Sequence, residues 1–294
     1  GGAITTTGGA NAAGGAIDID SSGGAVAISS NLVTSGGTST GVGRAGGAVN
    51  IDVNGGTGTI VFATGADITT TGSAAAAGTN ADGGAGGLVT LNTNNALITL
   101  NDTTIDTTGG AKDGTGAQGA GGAVTFSDEV ALATGGVTIT TGASAGTITF
   151  SDTLNGTQTL SLTAGTGNID FDGAVGGGTA LGVVTIVSGG TVDTDAAFKS
   201  AGLDWTATTE IQLDALVTST GTVKLDSALI DVNAGITAAG QLVNLDAGAT
   251  GLTVDGGAIT TTGGANAAGG AIDIDSSGGA VAISSNLVTS GGTS

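Results

Sequence analysis

Five residue types are missing altogether: cysteine, proline, histidine, methionine and tyrosine. With no cysteine there is no disulfide framework, which suits an exported bacterial protein and also an intracellular one. With no histidine, cysteine or tyrosine, and only Glu129 and Glu210 as glutamates, the common nucleophile and acid–base arrangements lack their parts. The chain is therefore read as a non-enzyme. Basic residues are scarce too, since Arg44, Lys112, Lys199 and Lys224 face 24 acidic residues, for a net charge of −20. Such a surface repels nucleic acid and anionic membranes, keeps a β-rich object soluble and attracts divalent cations. No apolar run approaches the ~18 residues needed to cross a bilayer, so no membrane insertion is expected. Neither an initiator methionine nor a signal peptide opens the chain, and it reads as an excerpt of something longer.

What is present is glycine, 61 of 294 residues, set among valine, isoleucine and threonine. Glycine without proline in that company points to many short strands joined by tight turns, not to collagen or a polyproline linker. A long repeat overlies this texture. Residues 1–39 return letter for letter as residues 256–294, a spacing of 255. A globular enzyme gains nothing from a second copy of its opening stretch, whereas a polymer does. The organisation expected is one complete tile over 1–255 and the start of the next identical tile over 256–294.

A finer period lies inside the tile. Segments of the form hydrophobic-x-Thr, commonly closed by glycine, begin at Ile4, Leu32, Ile68 and Ile105, with weaker versions at Ile139, Ile169, Phe198, Leu216 and Ile236. Each is followed by a second strand with an alternating apolar pair, such as Val49/Ile51 or Val124/Phe126, and then by a third, such as Ile60/Phe62. Period-two alternation puts each pair on one dry face. The fold expected is all-β, a right-handed parallel β-helix (β-solenoid) of about nine three-strand rungs per 255-residue tile. Rungs run from 18 to 37 residues, with the excess between strands one and two, where Gly/Ala loops bulge from one corner.

Stacking at about 4.8 Å per rung lines like residues into columns and gives a tile rise of about 43 Å. Strand one then carries an inward column of Thr6, Thr34, Thr70, Thr107 and Thr141, whose hydroxyls are expected to bond to one another up the stack. Phe126 falls directly below Phe150, and Trp205 shares the inward phase of Leu203. Ala27, Val61 and Ala131 point outward on strand three, where either the long loops of rungs two to four fold over them, the reading favoured because those loops lie in the same rungs, or another fibre packs on them.

Candidate chemistry is limited to aspartate. The pairs Asp18/Asp20, Asp170/Asp172 and Asp193/Asp195 sit two apart on strands, so each pair of carboxylates shares a solvent face. Hard oxygen ligands of this kind suit calcium, and neighbouring rungs could complete the shell. The nine-residue GGxGxDxUx repeat of calcium β-rolls is absent, and Gly14 to Asp20 only echoes it. No phosphate loop of the form GxxxxGK[ST] occurs, and charges and valines interrupt the outward threonines that an ice-ordering face would need.

The run from Gly156 to Val192, together with AGGAVTF, AGTITF and TGTVKLD, resembles the repetitive exoproteins of the filamentous-haemagglutinin type, including two-partner-secreted adhesins. That resemblance implies a right-handed parallel β-helix carried to the cell surface, in adhesion, biofilm or surface-layer roles. No secretion domain or adhesive module accompanies it, which favours a shaft. The function expected is an extracellular structural fibre whose partners are further tiles end to end, with lateral packing between fibres. The alternative is an adhesin or calcium-dependent binding module using the loops Gly37 to Gly47, Gly72 to Gly87 and Gly109 to Gly122.

Overall fold

The computed structural model describes residues 2–292; residues 1, 293 and 294, which belong to the two copies of the repeat, lie outside the described residues. Among the described residues the chain is all-β, and no helix is long and apolar enough to cross a membrane. The strands pair only in parallel, in three ladders that the polypeptide visits in turn.

The first ladder stacks Ile4, Leu32, Ile68, Ile105, Ile139, Leu162, Ile186, Trp205, Leu225, Leu245 and Ile274. The second stacks Ile17, Val49, Val89, Val124, Ile148, Ile169, Val192, Ile211, Ile230, Leu252 and Val281. The third stacks Val26, Ile60, Ile98, Val130, Leu154, Val175, Phe198, Val217, Ile236, Ile259 and Leu287. Except at the two ends, where Ile4, Val281 and Leu287 are exposed and Val26 and Ile274 half-buried, these residues are buried and together form one continuous apolar core.

This register corrects the nine-rung reading. Between Ile4 and its copy Ile259 there are ten positions on the first ladder, ten on the second and nine on the third, so a repeat unit holds 29 strand positions, not 27. The two extra positions are Leu154–Gly156 and Val175. Each offers a single large apolar residue, Leu154 among polar residues and Val175 beside Ala174 and glycines, so neither shows an alternating pair. Their omission shifts every later assignment: Ile169 belongs to the second ladder, and Phe198 and Ile236 to the third, where Val217 faces inward in place of the expected Leu216, which is exposed.

Five of the six aromatic residues pack against one another in the core. Phe126 and Phe150 stack with ring centres 4.8 Å apart, as the column pattern requires, and Phe171 continues the stack at 5.4 Å. Phe198 and Trp205 then meet edge to face across the core at 5.1 Å. Trp205 is fully buried, so it is core and presents no ligand surface.

Candidate functional site

Thr34, Thr70, Thr107 and Thr141 are buried as expected and Thr6 at the end of the column is half-buried, but their hydroxyls do not bond to one another up the stack. Each closes the neck of the loop that follows it. Thr70 Oγ1 donates to the Gly87 carbonyl at 2.7 Å, while the Gly87 N–H donates back to the Thr70 carbonyl at 2.6 Å. The same two-bond clasp joins Thr6 to Gly15, Thr34 to Gly47, Thr107 to Gly122 and Thr261 to Gly270. A rung neighbour lies about 4.8 Å away, beyond hydroxyl reach, whereas the neck carbonyl lies within it.

Beyond the necks the loops stack as a fin. Gly36 N bonds to Thr71 O and Gly72 N to Thr108 O on the outgoing arms; Gly46 N bonds to Ala85 O and Gly86 N to Ala120 O on the returning arms. The recurrent Gly-Gly pair before the second ladder is dictated by this packing. A Cβ on Gly86 would lie 1.8 Å from the Thr107 carbonyl of the layer above, and one on Gly87 would lie 2.0 Å from the Gly47 carbonyl below. Asp113 ties the upper layer to the one beneath by accepting from the N–H groups of Thr79 and Asn80 at 2.7 and 2.8 Å. The Asn80 N–H foremost holds the Asp113 carboxyl below its ordinary pKa. Because the loops bond to one another, they do not fold over the third ladder, and Ala27 stays exposed.

The predicted carboxylates are placed unequally. Asp18 and Asp20 are exposed on the second ladder, where Asp18 accepts from Asn50 Nδ2 at 2.9 Å and Asp20 stands beside Asp52. Asp170 pairs in register with Asp193 one rung on, and Asp172 and Asp195 follow at the next corner. Carboxylate oxygens of Asp193, Asp195 and Asp214 lie within 4.8 Å of one another, the group of three acids that the described residues bring together. Asp214 was missed in the sequence because it stands alone in QLDAL; only the register that places Leu213 on Thr194 brings it above the pair.

Electrostatically the cluster is strained. Burial first, and then the charges of Asp195 and Asp214, push Asp193 up to about 6. Burial and the charge of Asp172 raise Asp170 as well. Asp214 is already bonded by Gln212 Nε2 at 2.9 Å and Asn233 Nδ2 at 2.7 Å, whereas Asp193 Oδ1 is buried without a partner. Chemically, the arrangement can take up a proton or a hard cation.

A surface groove of about 270 Å³ lies on the outer side of the first ladder, lined by Val183, Gly202, Leu203 and Thr222 and edged by the ion pair Lys224–Asp204 at 3.3 Å. Searches against family models, curated proteins and solved structures find no match for this chain.

Proposed function

We propose that this chain is a segment of an extracellular structural fibre, a right-handed parallel β-helix of tandem 255-residue units. One observation carries the reading. The copy of the opening stretch continues all three ladders of the unit before it, with Ile259 on Ile236, Ile272 on Val243 and Val281 on Leu252. The junction between units is thus paired like any other rung. The three-ladder rotation supports a coiled path, and parallel crossovers of this kind are right-handed in nearly all known cases. Axial hydrogen bonds bear load along such a shaft, and the acidic coat limits bundling. Cell-surface placement follows the resemblance to repetitive exoproteins, which rests on the repeat pattern. Catalysis has no part in this reading.

The test is length. Proteins carrying one, two and three tandem units, viewed by negative-stain electron microscopy, are expected to be unbranched rods that lengthen by about 46 Å per unit, at about 4.8 Å per turn. Lengths that do not grow with unit number would overturn the fibre.

The cluster Asp193, Asp195 and Asp214 favours one second reading, a calcium-dependent binding module on the same scaffold. Added calcium should then raise the melting temperature of the parent chain and leave an Asp195→Asn/Asp214→Asn variant unmoved. A shaft held by packing and hydrogen bonds shows no response to calcium or to chelator.

A further inference from the structure

We propose that successive 255-residue units are turned by one face relative to each other, so that a tandem shaft shows each surface feature of the unit on all three of its sides. The inference rests on the fibre reading above, and its argument is the register. A unit holds 29 strand positions distributed over three ladders, and 29 is not a multiple of three. The next unit therefore cannot begin on the ladder where the last began. The structure already contains the consequence. Ile4 stands on the first ladder but its copy Ile259 on the third; Ile17 stands on the second but Ile272 on the first; Val26 stands on the third but Val281 on the second.

The fin turns with it. The first clasp, Thr6 with Gly15, closes a loop between the first and second ladders. Its copy, Thr261 with Gly270, closes the same loop between the third and first. One sequence thus builds one clasp at two corners of the same molecule, so the geometry of the loop does not depend on which ladder carries it.

The exact repeat also shows what covers the apolar rung at each end of the described chain. Ile4 is 48% exposed where no rung lies beneath it, and its copy Ile259 is fully buried on Ile236. Leu287 is 44% exposed where nothing lies above it, and its counterpart Leu32 is buried beneath Ile68. The occupant of each exposed rung is another copy of this unit, seated one face round. Nine and two-thirds turns give a rise of about 46 Å with a rotation of about 120°, and the arrangement returns to itself after three units, about 139 Å. A partner that binds the fin therefore meets it from three directions in succession, and no side of the shaft is free of it.

The chain has no cysteine, so one introduced thiol per unit marks the fin uniquely. A three-unit protein with Ala77→Cys, at the exposed edge of the fin, would be labelled with a gold cluster and imaged by cryo-electron microscopy. Lys112→Cys, exposed one layer higher, serves as an independent second site. The expected result is three labels about 46 Å apart along the axis, each stepped about 120° around it. Labels in line on one side of a rod that keeps its 4.8 Å spacing would overturn the rotation and leave the fibre reading standing. Particles without that spacing would overturn both.

Discussion

Thr70 carries a buried hydroxyl whose acceptor is the carbonyl at the far side of its own loop neck, and the pairing is reciprocal. Thr70→Val keeps the shape and removes the donor, so it should cost about 1–3 kcal/mol, while Thr70→Ser should cost less, as measured by denaturant unfolding. Gly87→Ala is expected to be worse than the valine change, because the added methyl has the Gly47 carbonyl in its place. Hydrogen exchange should show the loss concentrated in the fin amides. Asp193 sets a pH dependence of definite sign. Its folded pKa is about 6 against an ordinary 3.8, so folding takes up a proton in that window. The stability so contributed is complete below about pH 4 and is lost as pH rises through 6. Asp193→Asn should therefore be more stable than the parent at pH 7, by on the order of 1 kcal/mol after solvent screening, with the gap closing by pH 4 in thermal melts. A parent that gains stability as pH rises from 5 to 7 would contradict the assignment.

At the scale of elements, the core is ordered by columns, and the aromatic column is its densest part. Phe150 lies between Phe126 and Phe171 and is buried on both sides, so Phe150→Ala should cost about 3–5 kcal/mol through lost transfer energy and a cavity that two stacked rings cannot fill. Denaturant midpoints at constant slope would show it. The sequence made strands such as Val49–Val53 and Val124–Phe126 legible because period-two alternation is strong there. It did not reveal Leu154–Gly156 or Val175, where one inward residue suffices and the register is held by neighbouring rungs. The same limit applies to the acidic cluster. Asp193 and Asp195 are visible as a pair, but Asp214 joins them only through the stacking of one rung on the next, which local pattern does not encode. The Gly-Gly pairs were visible as loops. Their purpose, to admit carbonyls of the layers above and below, needed the register.

For the molecule as a whole, stability accumulates along the axis. Each rung contacts its neighbours, so loops of very different length are accommodated at one corner while the ladders run on unbroken. The unit's 29 strand positions make its rise about 46 Å in place of the 43 Å that nine turns would give. The most direct test of the fibre is a cryo-electron microscopy power spectrum of the assembled tandem-unit protein. The account predicts a meridional reflection near 4.8 Å together with an axial rise of about 46 Å per unit. Isolated particles showing neither spacing would contradict it.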